Sequence, residues 1–271
     1  MKITLILFQL LFSLVLQAQV TKVEHFYASS PQAVKLFHVF QHDFHLPIVW
    51  NFQTYGDFAS GGVTLGNVVF EFVTYKGIAE TKFEGIALES KQHIEDFVSM
   101  LDAAGIEHDT IQPNTFVNKN GVLVGWSNMV IKDVLPEEAG LFICDYKERE
   151  RIFSGRKSAS DTLRINDGGP LGLIELKEIG VHTTNYQQHK KNLLQLPGVK
   201  NDGSLFSFSY GPSIRLVDAD NNGTQKIIIK VRSLAAAKSF LQSKQMLCNV
   251  GINSIYILPE AIEGLQVELV E

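Results

Sequence analysis

The feature that most restricts the fold is a recurring pattern of one β-type run, a turn, an amphipathic helix and further β-type runs. Residues 23–37, VEHFYASSPQAVKLF, align without a gap with residues 83–97, FEGIALESKQHIEDF. The segments share Glu24/Glu84, Ser30/Ser90, Gln32/Gln92 and Phe37/Phe97, and most apolar positions match in type. A repeat of this kind governs every later reading, because each copy is one supersecondary unit that needs its neighbours to bury its apolar face. After a helix predicted over 31–44 come PIVWNFQ, GGVTLG and NVVFEFVTY, β-branched or aromatic runs with turn residues between them. One unit therefore reads strand, helix, three strands.

The second copy runs from FEGIALES through a helix from Lys91 to Ala104, stopped by Gly105, to VLVGWSNMVIKDV and GLFICDYK. Two more copies follow. GLIELKEIGVH precedes a helix near 185–196 and then LFSFSYG and PSIRLVDA; KIIIKV precedes SLAAAKSFLQSKQM, INSIYILPE and LQVELVE. Each unit closes on a glycine-led strand, at Gly66, Gly140, Gly211 and Gly264. The fold class expected is α+β, built from four βαβββ units. The charged, Gly/Ser-containing stretch over 147–170 interrupts the pattern and reads as a linker, with a second junction at DADNNG, residues 218–223.

The 271 residues and 45% hydrophobic content suffice for a large core, and a net charge of −5 lacks the basic footprint of a nucleic-acid binder. MKITLILFQLLFSLVLQAQ has one lysine, an uncharged apolar run and small or polar residues, the layout of a secretory signal peptide. Its apolar run is short for a membrane span. Export with cleavage after Ala18 is expected, giving a mature chain that starts near Gln19 and keeps no stable membrane anchor. The division expected is 1–18 signal peptide, 19–150 first pair of units, 151–170 linker and 171–271 second pair. Cys144 and Cys248 are expected as buried free thiols rather than a disulfide.

Tandem βαβββ units, with a histidine in the first strand (VEHFYA) and a carboxylate in the closing strand (GNVVFEFV), resemble the vicinal oxygen chelate superfamily, which contains glyoxalases, bleomycin-resistance proteins and extradiol dioxygenases. The similarity is greatest to its glyoxalase-like branch and covers residues 23–271. It implies two vicinal-oxygen-chelate-like domains, each closing a cup from two units, with first and last strands facing the cup and holding a divalent metal. The fold hosts many reactions, so the resemblance speaks for fold more than for chemistry.

Alternation along a strand puts His25 on one face with Val23 and Tyr27, and Glu71 with Val69 and Val73. An ionised Glu in such an apolar strand is costly unless paired or bound to a cation. The metal set the resemblance implies is His25, Glu71 and Asp145, with Glu71 or Asp145 as proton shuttle. Imidazole with carboxylates suits Zn, Fe, Mn, Co or Ni. In the second unit Gly85 stands where His25 has its counterpart, leaving room for substrate or water. In the second pair the matching positions fall near Leu173 and Lys226, and Arg215 and Glu268 are expected to pair across the cup.

Two functions follow from this reading. One is metal-dependent chemistry of lyase, isomerase or dioxygenase type on a small oxygen-rich molecule; the other is metal-free binding or sequestration of a small molecule. The partner expected is a small-molecule ligand or substrate. Elsewhere, His38, His42 and His45 fall at the solvent edge of a helix whose core stripe is Phe37, Phe40 and Phe44. DADNNG opens like an EF-hand loop but has Ile229 at the twelfth position, so an Asx/Gly turn is expected.

Overall fold

The computed structural model describes residues 20–90, 93–118 and 121–271. The expected signal peptide lies outside the described residues. The first unit comprises β1 (Val20–Ser29), α1 (Ala33–His38) with a π-helical turn (Val39–Asp43), β2 (Ile48–Tyr55), β3 (Phe58–Thr64) and β4 (Val69–Tyr75). The second comprises β5 (Lys82–Ser90), α2 (Ile94–Ala104), β6 (Gln112–Asn118), β7 (Gly121–Val130) and β8 (Leu141–Tyr146). After α3 (Arg149–Ile165) the third unit has β9 (Leu173–Thr183), α4 (Tyr186–Gln195), β10 (Lys200–Asp202), β11 (Leu205–Ser207) and β12 (Ser213–Asp218). The fourth has β13 (Gly223–Val231), α5 (Leu234–Ser243), β14 (Leu247–Val250), β15 (Ser254–Ile257) and β16 (Gln266–Val270).

These strands form two mixed eight-stranded sheets of matching order, β2-β3-β4-β1-β5-β8-β7-β6 and β10-β11-β12-β9-β13-β16-β15-β14. The first strand of each unit runs parallel to its last, β1 beside β4 and β9 beside β12, while β1/β5 and β9/β13 join the units antiparallel. The protein is thus α+β, four βαβββ units paired into two sheets.

Helices cover one face of each sheet. Leu36, Phe37 and Phe40 of the first helix are buried, with Phe40 edge-on to Phe70 and Phe26 stacked on Phe70 at 4.6 Å between centroids. Burying one such phenylalanine contributes about 1.5–3 kcal/mol. The opposite, concave face of the first sheet is free to hold the site.

Residues 151–170, read from sequence as linker, are mostly helix: α3 is 17 residues long and buries Arg156, Ala159 and Leu163. That spacing of three and four defines one face of a helix. One of its three buried residues is an arginine and another an alanine, which is why no strong apolar stripe marks it in the sequence. Between the sheets, Leu176 N–H donates to Leu65 O at 3.1 Å, and the Asn67 side chain both donates to and accepts from the Leu176 backbone. The DADNNG segment runs from the end of β12 to the start of β13, and its Asn222 Oδ1 accepts from Thr184 N–H at 2.9 Å, a contact to the β9–α4 connection rather than the local Asx turn expected. Both cysteines are free; Cys144 is buried as expected, whereas Cys248 is exposed. Among the described residues no helix is long and apolar enough to cross a membrane.

Candidate small-molecule cup

The concave face of the first sheet, roofed by α3, encloses a cavity of about 1730 Å³. His25 and Glu71 lie on its wall, as expected from strand alternation. They are brought together because β1 and β4 are parallel neighbours, with His25 opposite Val69 and Tyr27 opposite Glu71. His25 Nε2 is 3.5 Å from Glu71 Oε2. Both side chains are largely buried.

A bulge in β1 adds a residue that alternation does not predict. Val23 pairs with Leu88 and His25 with Ala87, so Glu24 is an extra residue on its strand. Such bulges re-aim side chains. Phe26 and Ala28 enter the hydrophobic core, but the buried Glu24 carboxylate instead meets His25 Nδ1 and the guanidinium of Arg156. Tyr146 Oη donates to Glu24 Oε2 at 3.2 Å, and Arg156 Nη2 donates to Tyr146 Oη at 2.8 Å. Burial pulls the Arg156 guanidinium down to about 9. That still lies above neutral pH, so the group stays charged there.

Glu24 accepting at Nδ1 fixes the His25 tautomer and turns the Nε2 lone pair toward Glu71. Burial lowers the pKa of His25, against the pull of Glu71. Burial also raises Glu71, against His25 and a hydrogen bond from Ser60. The pair is therefore pushed toward two neutral groups, an imidazole beside a carboxylic acid. Trp50 Nε1 donates to Ser60 Oγ at 3.3 Å, tying the cavity wall to this floor.

Aromatic rings from both units surround the pair. Tyr55 and Phe58, at the end of the β2–β3 hairpin, stack at 5.5 Å, and Trp126 of β7 meets Tyr55 edge-on at 5.6 Å. Phe142 of β8 stands edge-on to His25 at 5.5 Å. Ile152, Gly155 and Arg156 of α3 complete the wall. Glu24, Tyr146 and Arg156 escaped the sequence reading. Tyr146 alone left a signal, at an alternate position from Phe142 and Cys144 in the closing strand.

Asp145 is not brought to the cup. Phe142, Cys144 and Tyr146 line the cavity, and Asp145 faces the other way. Its Oδ2 accepts from Ile94 N–H at 3.2 Å and lies 3.4 Å from His93 Nδ1, capping α2. The position matching Glu71 is Phe142, since Ala87 pairs with Phe142 two residues beyond Gly85. Gly85 does not leave open space either. A Cβ there would lie 2.1 Å from Tyr27 Cε1, so the ring of Tyr27 occupies the room the glycine provides.

The second sheet fills the same positions differently. Gly180 pairs with Arg215 and Lys226, as Tyr27 pairs with Glu71 and Gly85. Two residues earlier in β9, Glu178 rather than Leu173 matches His25. Arg215 donates to both Glu178 oxygens, at 2.6 and 2.8 Å, and Lys226 donates to Glu268 at 2.9 Å. The expected partnership of Arg215 with Glu268 is thus replaced by two separate ion pairs, each across neighbouring strands.

The donor set of the first cup does not fit a divalent metal. Of the four equivalent positions only His25 and Glu71 offer ligand atoms; Phe142 has none, and Tyr27 covers Gly85. Among the described residues no three His, Cys, Asp or Glu side chains converge. The Arg156 guanidinium adds a fixed positive charge to the cavity wall.

Comparison with known proteins places the fold. No protein-family model and no curated protein matches the sequence. Solved structures do. Homoprotocatechuate 2,3-dioxygenase from Brevibacterium fuscum superposes with a TM-score of 0.61 at 10% identity, covering 95% of this chain and 73% of that one. The 2,3-dioxygenase LapB from Pseudomonas sp. KL28 gives 0.59 at 10% identity, covering 93% and 92%. A Mn(II)-bound glyoxalase from Novosphingobium aromaticivorans gives 0.56 at 13% identity, covering 93% and 82%. The fold is that of the vicinal oxygen chelate superfamily.

Proposed function

We propose that this is an exported, metal-free small-molecule binding protein whose first cup takes a flat aromatic ligand with a polar edge. The observation that carries the reading is a cavity walled by aromatic rings from both units, with the buried His25/Glu71 pair on its wall. Offset or edge-on ring contacts contribute about 0.5–1.5 kcal/mol each beyond area burial. The imidazole and the carboxyl, both shifted by burial away from their charged forms, supply adjacent hydrogen-bonding groups to read the ligand's edge. The second cup, whose matching positions are closed by ion pairs, serves the fold.

The test is quenching of Trp50 and Trp126 fluorescence by a panel of phenols and aryl ketones. Saturable quenching in metal-free buffer, weakened by Glu71→Gln, is expected. Quenching that requires added Mn(II) or Zn(II) would restore the metal-dependent reading. Intact mass of the exported protein checks loss of residues 1–18.

A second reading is favoured by Glu24 behind His25. A carboxylate at Nδ1 makes Nε2 a better proton acceptor, so a bound carbonyl compound would exchange its α-protons. NMR-detected deuterium exchange of 2-indanone, lost in His25→Gln, supports catalysis; equal exchange with and without the protein limits the cup to binding.

A further inference from the structure

Outside the cup, the first helix carries two imidazoles that the proposed function does not use. His38 closes α1, and His42 lies four residues on, in the π-helical turn that follows. That turn is closed by Phe44 N–H donating to Val39 O at 3.1 Å. Such turns are uncommon and frequently sit at functional sites. Here it brings the two rings one above the other, with centroids 5.1 Å apart and planes at 21°.

Three further observations suit the pair to one ion. Gln41 Oε1 lies 3.3 Å from His38 Nδ1, and accepting its proton leaves the Nε2 lone pair outward, the outer-shell arrangement that metal-bound histidines use. Leu36, Phe37 and Phe40 are buried beneath, so the backbone bearing the imidazoles is held by the core. Both rings are exposed, and exposed rotamers exchange in picoseconds to nanoseconds, so the nitrogens converge without refolding. The neighbouring cations are offset: Lys35 is 2.5 Å from Glu263, and Lys244 is 3.1 Å from Asp43.

We propose that His38 and His42 chelate one borderline divalent ion on the outer face of the first helix, Cu(II) in preference to Ni(II) or Zn(II). Two imidazole nitrogens supply half of a four-coordinate set and water the remainder. The preference among metals follows the general order for nitrogen donors, and hard ions such as Ca(II) are excluded because they take oxygen ligands. The cup plays no part in this site.

The test is Cu(II) titration of the full chain, read by calorimetry and by electron paramagnetic resonance. Wild type is expected to bind a Cu(II) whose spectrum shows two imidazole nitrogens. His38→Ala and His42→Ala should each lose that species, while His182→Ala, at a half-buried histidine of the second sheet, should keep it. Circular dichroism separates loss of the site from loss of fold. A two-nitrogen species that persists in both His38→Ala and His42→Ala, or is absent from wild type, overturns the proposal.

Discussion

The two cups are the same piece of backbone used for opposite ends. In the second, Glu178 and Glu268 each meet a cation on the adjacent strand, Arg215 and Lys226, and the four positions satisfy one another. In the first, burial shifts His25 down and Glu71 up, each away from its charged form, while Glu24 and Arg156 meet behind them. Across the central strand pair the bulky residue also changes sides: Tyr27 lies over Gly85 in one sheet, and Lys226 lies over Gly180 in the other. A cup that pairs its own charges is complete without a visitor. A cup that hides its charge and exposes aromatic faces has room for one.

The largest test of this contrast is to remove one cation from each cup. Arg156→Met leaves the Glu24 carboxylate buried and unpaired, and should cost about 3–5 kcal/mol in urea unfolding. Lys226 is half-exposed, so Lys226→Met should cost about 1 kcal/mol or less. Equal costs would erase the distinction between a buried and a solvated pair.

Next in size is the glycine exchange. Gly85→Ala forces the Tyr27 ring to move and should cost about 1–3 kcal/mol. At Gly180 the nearest atom to an added Cβ is Lys226 Cγ at 3.3 Å, on a flexible chain, and Gly180→Ala should be close to neutral. For the same steric reason Gly85→His should bring no metal affinity unless Tyr27 is shortened with it; Mn(II) uptake by the single variant would contradict the packing described.

Asp145→Ala should cost about 1 kcal/mol, the usual value of a helix cap, and leave ligand quenching unchanged. Loss of binding there would return Asp145 to the cup.

The subtlest difference is one of sign. Glu71 is raised above its ordinary 4.5, so its contribution is full below that value and is lost as pH rises through the folded pKa. Glu268 is lowered: burial, the largest single influence, pushes up, but hydrogen bonds from Lys226, Ser254 and Tyr256 together outweigh it. Its contribution is present above 4.5 and lost as pH falls. Thermal unfolding from pH 4 to 8 should therefore show Glu71→Gln gaining on wild type as pH rises, and Glu268→Gln gaining as pH falls. Parallel profiles would mean that the two carboxylates share one environment.

Much of the architecture was legible from local signals. Period-two runs, helix stops such as Gly105 and the repeated order of elements locate the units, because each strand and helix is chosen by nearby residues. Alternation also placed His25 and Glu71 on the cup wall. Asp145, matched to Glu71 in comparing the units, lies three residues beyond the true counterpart Phe142, and an odd shift of register exchanges the faces of a strand. Alternation missed Glu24 because a bulge is a property of strand pairing, invisible in either strand alone.

What the sequence by itself determined is the set of units, their apolar faces and the residue types available to a cup. Only the tertiary structure decided which of those residues meet. The ring of Tyr27 takes the space of Gly85, and a charged helix of low apolar content roofs the cavity with a buried face that includes Arg156 beside Ala159 and Leu163. These outcomes depend on contacts between segments far apart in the chain, whose energies are set by packing and desolvation in three dimensions rather than by any local preference.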